Sequence, residues 1–155
     1  MSSFILKSTA LKNDCLTSGS LKSLLDGGFL RIYSGTVPAT ADAVATGAAE
    51  LLKFTESDDG TTGLTFATPA VGGVISKNAS EVWKGTAGAT GTATFWRFTV
   101  GSDDGLGAAG GSDYRLQGTV GTSIADSLVL PSTSMTSGVT VHQLDAFQLS
   151  DENVA

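Results

Sequence analysis

Thr92-Ala-Thr-Phe-Trp-Arg-Phe-Thr-Val100 decides the fold. Side chains alternate across a strand, so Trp96, Phe98 and Val100 share one face with Thr94, while Phe95 and Arg97 share the other. A period of two carried by aromatic and β-branched residues predicts a strand whose Trp96 face points to the core. Phe95 and Arg97 then fall on the outer face, where an exposed aromatic serves a subunit contact or packs beneath a helix. Both are candidate interface residues.

The pattern continues outward in both directions. In Tyr114-Arg-Leu-Gln-Gly-Thr-Val120, Tyr114, Leu116 and Val120 are expected inward, and Arg115, Gln117 and Thr119 outward. Gly118 admits a bulge or a bulky neighbour. Further strands are expected over residues 29–34, 50–55, 63–67, 73–77, 127–130 and 139–149, which with 92–100 and 114–120 makes eight. Eight short strands in one domain predict an all-β fold: an antiparallel β-sandwich of two packed sheets, jelly-roll-like or Ig-like.

One short N-terminal helix precedes them. Ser20-Leu-Lys-Ser-Leu-Leu-Asp-Gly-Gly28 offers an N-cap serine, leucines on one face and a glycine stop. The chain therefore divides into an N-terminal arm or first strand over 1–19 and a single β-sandwich domain over 20–155. In the arm, the apolar Phe4, Ile5 and Leu6 are candidate interface residues that could add a strand to a neighbour's open edge, or else form the first strand of their own sandwich. The opening Met1-Ser-Ser-Phe-Ile-Leu-Lys7 has no basic leader and too short an apolar run for a signal peptide, so use without export is expected.

The inventory is poor in chemistry. The 155 residues include one His, one Cys and 20 Gly, and only 15% are charged. A formal net charge of -6, with the Lys and Arg scattered, argues against nucleic acid as a partner. No apolar run is long enough to span a membrane as a helix, so no membrane contact is expected. Cys15 reads as a small buried hydrophobe. His142 lies in Val139-Thr-Val-His-Gln-Leu144, read as an outer-face position, solvated or at an interface, and no Gly-x-Ser-x-Gly elbow accompanies it. Carboxylate pairs of the glycosidase kind would come with more aromatics than the 7% present. No enzyme activity and no cofactor are expected.

Two loops repeat a Ser-Asp-Asp-Gly pattern, at 57–60 and 102–105. Pooled, Asp58, Asp59, Asp103 and Asp104 would suit a hard cation. Ordinary hairpin turns explain the same residues, because Asp bonds its own backbone and Gly accepts a positive φ. Gly85-Thr-Ala-Gly-Ala-Thr-Gly91 and Gly105-Leu-Gly-Ala-Ala-Gly-Gly111 lack the lysine and following helix of a phosphate loop, and read as tips facing solvent or a partner.

Several segments together carry a resemblance. Gly28-Phe-Leu-Arg-Ile-Tyr-Ser-Gly-Thr-Val-Pro-Ala-Thr-Ala-Asp42, Gly73-Val-Ile-Ser-Lys77 with Val82-Trp83, Ala89-Thr-Gly-Thr-Ala-Thr-Phe-Trp-Arg-Phe98, and Leu116-Gln-Gly-Thr-Val-Gly121 with Ala125-Asp126 are similar to small virion structural proteins of tailed bacteriophages and prophages. The similarity spans residues 20–150. It implies a non-enzymatic, all-β virion component, foremost a head decoration (cement) protein that clamps major capsid subunits, and otherwise a tail-associated or receptor-binding accessory protein. The implied partners are the major capsid protein and the chain itself, as a dimer or trimer. The implied location is the outer surface of the head, with the host cytoplasm during assembly. The tail role would present Trp83, Tyr114 or Phe95 as stacking platforms for glycans. The resemblance brings no catalytic residues.

Overall fold

The computed structural model describes residues 5–150 with 154 and 155. Its centre is the strand read first, β7 (Phe95–Thr99). This strand lies between β2 (Phe29–Tyr33) and β8 (Arg115–Gly121), antiparallel to both. Register stacks like on like: Ile32 faces Trp96, and Leu30 faces Phe98, which faces Leu116. Cross-strand apolar pairs of this kind are what hold a sheet in register.

The sheet grows from this centre. β3 (Glu50–Glu56) pairs with β2, β5 (Trp83–Thr86) with β3, and β11 (Val141–Leu144) with β5. On the far side β1 (Leu6–Lys7) and the parallel β9 (Leu128–Val129) both pair with β8. The order β1-β8-β7-β2-β3-β5-β11, with β9 beside β8, makes one eight-stranded sheet. Two-stranded ribbons add β4 (Val74–Ser76) with β12 (Gln148–Ser150), and β6 (Gly91–Thr92) with β10 (Ser134–Met135). The fold is mostly β and largely antiparallel, as the alternation predicts.

One face of the sheet carries the core. Leu30, Ile32, Leu52, Phe54, Trp83, Trp96, Phe98, Leu116 and Leu144 are buried there in one cluster, with Phe66 and Phe147 laid across them. Trp96 meets Phe147 edge-on at 5.6 Å, and Phe66 meets Trp83 edge-on at the same distance, the arrangement ring quadrupoles favour. Gly118 stands opposite Trp96, and a Cβ there would lie 2.7 Å from the indole nitrogen. The missing side chain lets the ring lie flat and donate to Ser127 Oγ at 2.9 Å, so the bulky neighbour expected beside Gly118 is Trp96.

Two helices, not one, close this side. α1 (Thr9–Thr17) buries Leu11 and is capped by Ser8, whose hydroxyl accepts from the Leu11 amide. α2 (Leu21–Leu25) buries Leu25, begins at a Ser20/Ser23 capping box, and gives way to Gly27 at φ +86. The sequence around Cys15 reads as helical or turn-like, yet 1–19 is expected as an arm or first strand; α1, with Ser8 as its cap, occupies Thr9–Thr17 of it. Other expectations shift in detail. Residues 63–67 form only isolated bridges, Leu64 with Gly28 and Phe66 with Lys77. The stretch 139–149 divides into β11 and β12 around Asp145-Ala-Phe147, and 92–100 divides before β7.

Candidate functional site

The second face of the sheet is where the sequence reading goes most astray. Phe95 and Arg97, expected outside, are both 0% exposed, and Arg115 and Gln117 beside them are also buried. Two loops, 34–49 and 100–114, cross this face and cover it. They are rich in Gly and Ala and turn their main-chain carbonyls inward, which gives the polar side chains of the sheet something to hold.

Arg97 spans both loops. Its Nη2 donates to the carbonyls of Thr40 at 3.2 Å and Ala43 at 2.8 Å, its Nη1 to Gly105, and its Nε to Gln117 Oε1 at 2.9 Å. Gln117 passes the network on through Nε2 to the Pro38 carbonyl at 2.7 Å. Arg115 donates to the carbonyls of Ala41 and Gly107, and grips Asp103 with both ends of its fork, Nε to Oδ2 at 2.5 Å and Nη2 to Oδ1 at 2.7 Å. Tyr33 stacks on Phe95 with ring centroids 4.9 Å apart and donates its hydroxyl to the Asp104 carbonyl. The loops also bind each other, Ala45 N to Leu106 O and Ala109 N to Asp42 O.

Asp103 pairs with Arg115 in this layer, and Arg97 is held by neutral acceptors alone, three carbonyls and the Gln117 amide oxygen. Burial, then the nearby Arg115 charge, lowers Arg97 to about 10, which leaves it protonated at neutral pH. Burial alone would raise the Asp103 carboxyl, but hydrogen bonds from Arg115 and the Gly105 amide, with the charge of Arg115, bring it below its usual value. Burial opposes the charge on Arg115 as well, and Asp103 outweighs it, so its affinity for its proton rises. An enclosed bidentate pair of this kind is a latch: losing one partner strands a charge in a place without water.

The N-terminal candidates divide. Phe4 lies outside the described residues. Ile5 is buried in the core and bridges Val154, and Leu6 pairs with Gln117 of its own β8. Ile5 and Leu6 thus complete this chain's own fold.

The four loop aspartates each accept hydrogen bonds within the chain. Asp58 accepts from the amide and hydroxyl of Thr86, Asp59 from Thr61 and Thr62, Asp103 from Arg115, and Asp104 from the Leu106 amide. No group of three or more His, Cys, Asp or Glu stands ready for a metal ion among the described residues. The glycine-rich segments are solvent-facing tips only in part: Gly88, Thr90, Ala108, Gly110 and Gly111 are exposed, whereas Gly85 and Thr86 belong to β5 and Gly105 and Gly107 give their carbonyls to the latch.

His142 also departs from expectation. It shares the inner face of β11 with Leu144 and is half-buried; its Nε2 has no hydrogen-bond partner, and burial holds its pKa below the usual value. Cys15 is half-buried on α1, and burial raises its pKa, so the thiol stays protonated.

The surface that remains is apolar in patches. A groove of about 320 Å³ lies against the β4–β12 ribbon, lined by Ala67, Pro69, Val71, Val74, Ser76 and Gln148. A second of about 240 Å³ flanks it beyond Gln148, over Lys77, Asp145 and Phe147. At the end of the sheet, Val139 and Val141 are 72% and 48% exposed beside the outer edge of β11. Neither the latch nor this edge was identified from the sequence. A signal for the latch was present in three polar residues, Arg97, Arg115 and Gln117, side by side on adjacent strands. No family model, curated protein or solved structure matches this chain.

Proposed function

We propose that the protein is a non-enzymatic structural component of a bacteriophage virion: a head decoration protein that binds the outer surface of the capsid and ties major capsid subunits together. The observation that carries this reading is where the chain spends its chemistry. Its buried guanidinium groups and Asp103 carboxylate are committed to holding loops over one sheet face, and helices and a ribbon close the other. What faces outward is a firm body with exposed valines, a shallow groove and a strand edge. Such a body suits modest contacts that add up on a fixed lattice. The segments that resemble virion proteins fall on β2 and its following loop, the start of β5, β7 and β8 of the large sheet, and on β4 and β6 of the two ribbons.

The tail-associated reading asks for exposed aromatic platforms. Trp83 and Phe95 are enclosed, and Tyr114 gives its hydroxyl to Asp14, which leaves the head reading ahead. Binding of purified protein to expanded, undecorated heads should saturate at a fixed ratio to the major capsid protein. Saturated heads should keep their DNA at temperatures that empty bare heads. Binding that never saturates, with an unchanged release temperature, would remove the decoration role.

A further inference from the structure

We propose that β11 is a self-association edge, through which two copies of the chain pair antiparallel about a two-fold axis. This goes beyond the virion reading and does not rest on it.

The two ends of the large sheet are treated differently. At one end the outer side of β8 is taken by β1 and β9, each two residues long, with Lys7 on β1. The Lys7 amide and the Ile5 carbonyl are further tied to Ala155. Short, charged, covered strands are how natural sheets guard an edge. At the other end β11 pairs with β5 on one side, and no described residue pairs with it on the other.

The phase of the ladder shows which groups are left over. The Thr140 carbonyl accepts from the Ala87 amide at 2.8 Å, so Val141 and Thr86 form a non-hydrogen-bonded pair and His142 and Gly85 a hydrogen-bonded one. His142 and Leu144 therefore direct their amides and carbonyls to β5, and Val141 and Gln143 direct theirs away from the sheet. Within β11 itself there is no Pro and no Asp, Glu, Lys or Arg, and the first charged residue after it, Asp145, is turned to the Gln143 side-chain amide of its own chain.

A second copy is the occupant that fits. An antiparallel two-fold sets the edge against itself, and an edge without formal charge brings no like charges together there. The outward residues are two apart, so in the register centred on His142 each Val141 meets the Gln143 of the other copy. Four N–H···O bonds then cross the axis, and the two His142 residues face each other between them. The exposed Val141 side chains are covered along the seam.

Sedimentation of the full chain from micromolar to millimolar concentration tests this. The wild type should shift from monomer to dimer, with exchange of the Val141 and Gln143 amides slowing as the dimer fills. Val141→Pro removes a donor that β5 does not use, so the fold's own ladder is kept while two of the four bonds across the axis are lost. Val141→Lys places two like charges near the axis. Circular dichroism should show both variants folded, and each should weaken the dimer at least tenfold. A wild type that stays monomeric, a trimer, or a dimer equally strong in both folded variants would overturn the assignment.

Discussion

Asp103→Ala is expected to cost about 3–5 kcal/mol of folding stability at neutral pH, the range for removing one partner of an enclosed ion pair. Asp103 fills the fork of Arg115, whose side chain is 1% exposed, and no other carboxylate among the described residues pairs with that guanidinium. The loss should be local as well as global. Amide exchange should quicken first at Ala45 and Ala109, whose hydrogen bonds join the two loops over the polar face. The double variant Asp103→Ala with Arg115→Met should be less damaged than the two single losses added together, because the stranded charge leaves with its partner. The contribution is pH-dependent in a definite direction. Asp103 has a folded pKa below its unfolded value, so its stabilisation is complete above the ordinary carboxylate range and fades as pH falls through the folded value. Urea unfolding of wild type and variant should therefore differ widely at neutral pH and converge in acid.

Gly118→Val comes second, and strand propensity alone would misjudge its sign. Valine favours strands and glycine does not, so an isolated reading of β8 expects a gain. In the fold, a Cβ at residue 118 would lie 2.0 Å from Ser127 Oγ and 2.7 Å from Trp96 Nε1. Ser127 can rotate, but then the buried indole N–H loses its acceptor, at about 1–3 kcal/mol. The Trp96 ring is wedged against Phe147 and cannot withdraw without overpacking the core, which costs about another 1–3 kcal/mol. We expect a loss of about 2–6 kcal/mol in all, read from the urea midpoint, with a changed near-ultraviolet dichroism of Trp96. Gly118→Ala should show most of it.

These two sites mark the limits of the sequence. The β class, the strands around Trp96 and Leu116, and the Ser20 cap were legible because period and capping are local properties. Phe95, Arg97, Arg115 and Gln117 misled for a physical reason. Alternation places polar residues on the face away from the apolar core, but it does not say whether water or another layer lies beyond. Here the covering layer is main chain, and its carbonyls leave no mark in residue type. β5 was missed because Trp83-Lys-Gly-Thr86 is four residues long and contains a glycine. The inner-face position of His142 follows from the parity of Leu144, two residues on along β11. The open edge of β11 depended on strand order, which no local pattern encodes.

The most direct test of the account is to locate the protein by electron cryo-microscopy on expanded heads mixed with the purified chain. The account predicts a regular array of added density over the outer shell, bridging neighbouring capsid subunits. Bare shells at saturating protein, or density confined to the tail, would contradict it.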